Sequence, residues 1–306
     1  MGFPTTPEWA SSKNYFWHSN TESSPLCRKI FDKCIARRKT NLAFKIVKGE
    51  AEGDYDLARR TIRLYDNDNA NMFSGRTAET LSKQVLLDAL SIEEAIENGA
   101  KLYADYVPRT WDDGKDAAKL EINRDEYAEV VRCAVEGVQE AAGLLGINRL
   151  TGETDVFCNL PGAQLPYFGK PDFSKQIELK TKWSGVNQRA KSGKRSSSLP
   201  TQPTWSHLAQ VSGYKHGSGR PQAIVYVNHT GYRVFTAENC DLLTDDGMDN
   251  VLKHVAAKCR IRERLLQAAG SVEDLIGMIE PDFGHMWAWD VHPDVLNEAK
   301  QLWGFK

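Results

Sequence analysis

The sequence predicts an α+β (mixed α/β) fold, with a mixed central sheet flanked by helices and extra helices at both ends of the chain. Helical signals dominate the first half, up to about residue 142. Three short β-type runs then follow one another, over 155–160, 165–173 and 177–183. A helical run over 205–215 precedes strands over 222–227 and 232–236, so the centre of the chain reads α-β-β-β-α-β. With 306 residues the chain can bury a substantial core. The expected division is an N-terminal arm and helical extension over 1–70, a core over 71–240 and a C-terminal helical extension over 241–306, all in one compact domain.

Residues 1–22, rich in Pro, Ser, Thr and aromatics, read as an arm. Ser24-Pro25 opens a helix toward Arg38, because an early helical proline lacks only an N–H that would have no partner there. Residues 66–71 read as a loop, and Ser74 or Gly75 starts a helix to about residue 90. Ser91 and Glu94 form a capping box for the next helix. Asn123 and Glu126 give a similar start to a long helix, whose stripe Tyr127, Val130, Val131, Ala134, Val138 and Ala141 packs in the core until Gly143 and Gly146 end it. Residues 184–203 are rich in Ser, Gly and bases without periodicity, and read as a mobile loop: a gate over substrate, or a plain linker. Asn228-His229-Thr230-Gly231 turns the chain between the last two strands. A helix over 249–269 carries Lys253, Lys258, Arg260, Arg262 and Arg264, either on a solvated face or along a nucleic-acid path. Trp287, Trp289 and Trp303 read as packing residues.

The stretch 169–180 (Gly-Lys-Pro-Asp-Phe-Ser-Lys-Gln-Ile-Glu-Leu-Lys) says most about chemistry. Alternate residues of a strand share a face, so Glu178, Lys180 and Lys182 lie together, opposite Ile177 and Leu179. A three-residue loop at Ser174-Lys175-Gln176 makes Asp172 and Glu178 direct partners. The reverse face is then wholly apolar: Pro171, Phe173, Ile177 and Leu179. Two carboxylates suit a hard divalent cation, and an adjacent lysine suits the charge that develops on phosphate. An ordinary hairpin with solvated charges is the plainer alternative. Asp155, at the start of the first strand run, is a further candidate carboxylate.

Net charge is −2, so the molecule as a whole is no polycation. Yet the 59 residues from Leu179 to Ala237 hold no acid, while Lys180, Lys182, Arg189, Lys191, Lys194, Arg195, Lys215, Arg220 and Arg233 all fall there. Such a block places a positive field beside the carboxylates, as a phosphate-backbone partner requires. No apolar run reaches the ~20 residues that span a membrane, and the N-terminus shows no basic-then-apolar leader. The six cysteines, Cys27, Cys34, Cys133, Cys158, Cys240 and Cys259, form no C-x-x-C pair. They read as reduced thiols of a cytoplasmic protein, with no structural zinc.

The helical run from Trp205 carries His207, Gln210 and Tyr214 on one side, and Leu208 and Val211 on another. Pro171-Asp172, Glu178-Leu179-Lys180 and Gln210-Val211-Ser212-Gly213-Tyr214 together resemble the PD-(D/E)XK nuclease superfamily. The nearest likeness is its RecB-type exonuclease branch, which includes phage recombination exonucleases, the mitochondrial genome-maintenance exonuclease and CRISPR-adaptation nucleases. The likeness covers residues 150–237, with a weaker extension back to Gly75.

The resemblance implies an αβββαβ core and a metal-dependent DNA exonuclease that leaves 5′-phosphates, in phage-like replication, recombination or degradation. Asp172, Glu178 and the Leu179 backbone carbonyl would bind Mg²⁺ or Mn²⁺. Lys180 would orient the attacking water, and Gln210 would position that water or the phosphate. Tyr214 would contact nucleic acid or brace its helix. Lys182, Arg189, Lys191, Lys194, Arg195 and His207 are the further nucleic-acid contacts. Where relatives carry Gly-x-x-x-His, this chain has Gly75 followed by Glu79, which is either an oxygen ligand suited to a hard ion or a solvated residue near a helix start. Some relatives hold an iron–sulfur cluster, but the cysteine pattern for one is absent, so none is expected. DNA ends or single strands are the expected partners, together with a single-strand-binding or recombination protein. An endonuclease of the same superfamily and a non-catalytic nucleic-acid binder are the alternatives.

Overall fold

A computed structural model describes residues 69–106, 113–164, 166–187 and 193–268, with the single positions 278 and 304. The expected arm, the helix after Ser24-Pro25 and the tail tryptophans lie outside these residues.

Helix α1 (Ala70–Leu87) starts at Asn69, whose side chain accepts the Met72 N–H at 3.0 Å. It begins earlier than Ser74 or Gly75, so the loop expected to run to residue 71 ends at Asn69. Helix α2 (Ile92–Asp105) opens on the Ser91–Glu94 capping box read from the sequence. Helix α3 (Asp113–Leu144) corrects the other expected start. Asn123 and Glu126 are interior to it and buried. Asn123 donates to Ala70 O, Asn71 Oδ1 and Ser74 Oγ, while Glu126 accepts the Ser184 N–H at 3.1 Å. A capping box is a local signature, and here distant partners take both side chains. Asp116 adds to the seam by accepting the Ala70 N–H, one of the orphan donors of α1.

Strands β1 (Val156–Cys158) and β2 (Tyr167–Gly169) pair antiparallel as a separate ribbon. Strand β3 (Ile177–Thr181) runs parallel to β6 (Ala223–Asn228), which pairs antiparallel with β7 (Gly231–Phe235). The class is therefore mixed α/β with a small mixed sheet, of order β3-β6-β7. The expected run of strand over 165–173 is interrupted. β2 stops at Gly169, and only one antiparallel bridge, Phe173 with Ile177, joins the turn to β3.

Strand β6 is buried on both faces, as parallel strands between helices are. Its Ala223, Val225 and Val227 join Phe173, Ile177 and Leu179 in the cluster beneath α1, α2 and α3. Ile224 and Tyr226 face the opposite cluster, with helix α4 (Trp205–Ser218) and helix α5 (Asp245–Ala268). Helix α5 begins four residues before the expected 249.

Residues 184–203, read as a mobile loop, are largely stitched down where described. β4 (Gly185–Val186) and β5 (Lys194–Arg195) pair antiparallel. Ser197 Oγ donates to Lys182 O at 3.1 Å, Asn228 Nδ2 to Ser197 O at 3.1 Å, and Arg233 Nη1 to Pro200 O at 2.6 Å. Three side chains thus supply the order that the sequence's lack of periodicity conceals.

The turn before β3 carries two non-glycine residues in the left-handed region, Ser174 at φ 54° and Lys175 at φ 62°. Ser174 is compensated: its N–H donates to Thr151 O, and its Oγ accepts the Thr151 N–H. Lys175→Gly removes the steric penalty at the second position, and we expect a gain of about 0.5–1 kcal/mol in chemical denaturation.

Candidate functional site

The Phe173–Ile177 bridge sets the register in which Asp172 lies opposite Glu178. Asp172 Oδ2 then accepts the Leu179 N–H at 2.7 Å. The ladder to β6 uses the even-numbered residues, since Ala223 N–H reaches Gln176 O and Lys182 N–H reaches Val227 O. The N–H of Leu179 points away from β6 to Asp172, and its carbonyl lies on that same strand edge. Pro171, Phe173, Ile177 and Leu179 are buried on the reverse side.

Helix α4 closes over the polar side. Gly213 permits this approach, because a Cβ there would sit 2.2 Å from the Tyr167 ring. Gln210 Nε2 donates to Glu178 Oε1 and to the Tyr214 hydroxyl, both at 2.6 Å. Tyr214 is buried and reaches Lys170 O at 3.3 Å, so it braces the helix against β2 rather than presenting a surface to nucleic acid. Lys180 Nζ donates to the same Glu178 Oε1. Glu178 Oε2 is buried with no hydrogen-bond partner.

From the other side α1 supplies Glu79. Gly75 faces β3, where an added Cβ would lie 3.3 Å from Thr181 Oγ1. One ligand oxygen each from Glu79, Glu153 and Asp172 lies within 4.8 Å of the others. Lys83 bridges Glu79 and Glu153, at 2.7 Å from Glu153. Asp155 instead is exposed and pairs with Lys170 at 3.4 Å. Asp155, expected at the start of the first strand run, lies just before β1, which starts at Val156, and is not among the clustered oxygens. Glu153 lies before it, in the segment that Thr151 anchors to Ser174. Two signals were available in the sequence: a second acid two residues before Asp155, and its place in the Thr-Gly-Glu-Thr-Asp stretch that precedes the strand run.

Burial pushes the Asp172 carboxyl well above the usual carboxylate range, and the charges of Glu178 and Glu79 push it further. Burial also raises Glu178, against the pull of Lys180. Burial alone would lower the Lys180 ammonium, but Glu178 and Asp172 outweigh it and hold the pKa above its ordinary value. Across the cluster, four carboxylates (Glu79, Glu153, Asp172, Glu178) face two ammonium groups (Lys83, Lys180). Only with every group ionised do the acids outnumber these two ammonium groups by two, and since Asp172 and Glu178 resist ionisation, a cation binding there would displace protons. The unpartnered Glu178 Oε2 and an all-oxygen donor set fit a hard divalent ion.

The remaining expected contacts divide. Lys182 lies 5.9 Å from the Tyr226 ring centroid, and burial together with Lys180 lowers its pKa. Lys194 pairs with buried Glu126, which also meets His229 Nδ1 at 3.2 Å, so Lys194 anchors β5 rather than serving as a loose phosphate contact. Arg195 is exposed, while Arg189 and Lys191 lie outside the described residues. Among the described residues Cys133, Cys158, Cys240 and Cys259 are unbridged, and no helix is long and apolar enough to cross a membrane. No family model, curated protein or solved structure matches the chain.

His207 Nδ1 lies 2.6 Å from the Tyr226 hydroxyl, which also accepts the Thr204 N–H. In the tautomer whose Nδ1 accepts the Tyr226 hydroxyl proton, neutral His207 has Nε2–H as its free donor. Burial, then Lys180 and Lys182, lowers its pKa to about 3. An unfolded histidine takes a proton near about 6.5. As pH falls from there toward the folded value, the unfolded chain gains a proton that the folded chain refuses, and stability drops. We expect His207→Asn to flatten the stability–pH curve between about pH 6.5 and 4, removing up to about 1 kcal/mol per pH unit, read by denaturation at several pH values.

Proposed function

We propose that this chain is a divalent-metal-dependent deoxyribonuclease built on a PD-(D/E)XK-type core. It acts as an exonuclease on DNA ends or single strands and leaves 5′-phosphates. The observation that carries the reading is the buried convergence of Asp172 and Glu178 with Lys180, beside the oxygen cluster that Asp172 forms with Glu79 and Glu153.

Asp172, Glu178 and the Leu179 carbonyl, with Glu79, would hold Mg²⁺ or Mn²⁺. Such a cation, when bound, stabilises charge on phosphate and lowers the pKa of water. Lys180 keeps its proton and offers an N–H donor to the attacking water or a phosphate oxygen. Gln210 holds Glu178 in place, and Tyr214 holds Gln210. His207, neutral, can donate Nε2–H to phosphate, and Lys182 adds charge along the strand. Of the acid-free block from Leu179 to Ala237, Lys182 and the exposed Arg195 would supply positive charge to the nucleic-acid backbone, whereas Lys194 and Lys215 are paired with acids of other elements.

The test uses end-labelled linear single-stranded, linear duplex and closed circular DNA with Mg²⁺, Mn²⁺ or EDTA. Linear DNA should be lost only with metal, and closed circles spared; cutting of circles would move the reading to an endonuclease. Lys180→Ala and Asp172→Ala should each reduce the rate by at least about a hundredfold. Full-speed cleavage by either variant would reject the assignment.

A further inference from the structure

Among the described Phe, Tyr and Trp residues, Phe157 is the one that is exposed, at 51 %. It stands on β1 directly opposite Phe168 on β2, with ring centroids 5.1 Å apart and planes at 42°. The other ribbon face, Val156, Cys158, Tyr167 and Gly169, is buried against α4, where Gly217 and Gly213 admit Val156 and Tyr167. The two phenyl rings are therefore left on the outer face.

That face continues into the acidic cluster. Lys170 Nζ lies 6.0 Å from the Phe168 ring centroid. Glu153, whose carboxyl Lys83 holds low, also feels the charge of Lys170, and one of its oxygens lies within 4.8 Å of ligand oxygens on Glu79 and Asp172. Phe168 and Asp172 are only four residues apart, at most about 14 Å of extended chain. A strand whose phosphate lay at the carboxylates could therefore reach the rings within a few nucleotides.

We infer that Phe157 and Phe168 form a base-stacking platform for an unpaired stretch of nucleic acid, with Lys170 meeting the phosphate beside the stacked base. The inference rests on the nuclease reading and specifies how that site would hold its strand. The exposed Phe157 ring, beside a Phe168 ring that has the Lys170 ammonium over its face, suits a base, whose flat face stacks without regard to sequence. A protein-docking patch would instead be a larger contiguous apolar surface. Asp155, now the partner of Lys170 at 3.4 Å, is itself exposed and can yield to a phosphate without a buried charge being stranded.

The test measures binding of short single-stranded DNA, carrying one 2-aminopurine at successive positions, by anisotropy and fluorescence in EDTA. Phe157→Leu and Phe168→Leu keep apolar cover on the ribbon but remove the rings. Each should weaken binding about tenfold and abolish a quench confined to one or two neighbouring positions, with a wild-type melting temperature. Blunt duplex should show neither effect. Wild-type affinity and quenching in the double variant would overturn the platform. If that result accompanies metal-dependent cleavage that Lys180→Ala abolishes, the nuclease reading survives alone. If the wild type shows the Phe-dependent quench but cleaves nothing, the platform survives as a binding surface and the nuclease reading falls.

Discussion

The hydrogen bond from the Leu179 N–H to Asp172 Oδ2, at 2.7 Å, is the contact on which the polar centre depends. β2 has already ended at Gly169, so no continuous ladder holds the chain at Asp172. One bridge and this one bond bring its carboxylate beside Glu178. Burial resists ionisation of both carboxyls; the charge of Glu178 adds to that resistance at Asp172, and the charge of Glu79 adds to it at both. The cluster is tolerable because Lys180 and Lys83 are set into it.

The rest of the fold holds that arrangement in place. Strand β6 fills both clusters and carries β3 as its parallel neighbour, so the backbone under Glu178 and Lys180 is fixed from below. Close glycine contacts let α4 lie against β1 and β2, bringing Gln210 within reach of Glu178. On the opposite side, Asn123 and Asp116 tie α1 to α3, which fixes the helix that carries Glu79 and Lys83. Each carboxylate therefore rests on a different element. This is why the site depends on the packing of all the layers together.

Buried Glu126 plays a parallel part away from the centre. It accepts the Ser184 N–H and pairs with Lys194 and His229, joining α3, the β4–β5 hairpin and the turn before β7. Burial tends to raise its carboxyl, yet hydrogen bonds from Lys194 and Ser184 hold it below the usual range. The basic segment after β3 is thereby fastened by charge as well as by backbone bonds.

The sequence alone determined the parts that depend on neighbours along the chain. Period-two alternation gave the shared face of Glu178 and Lys180. The length of the Ser174-Lys175-Gln176 turn gave the pairing of Phe173 with Ile177, and Ser91 with Glu94 gave the cap of α2. Tertiary structure decided what depends on residues far apart. It put Glu153 rather than Asp155 beside Glu79 and Asp172, in the segment that the Thr151–Ser174 contact anchors. It drew Asn123 and Glu126 into a helix interior, and it turned Lys194 from a free cation into an anchor. The physical reason is common to all three: a side chain's local pattern states what it can bond, whereas burial between distant elements decides which partner it meets.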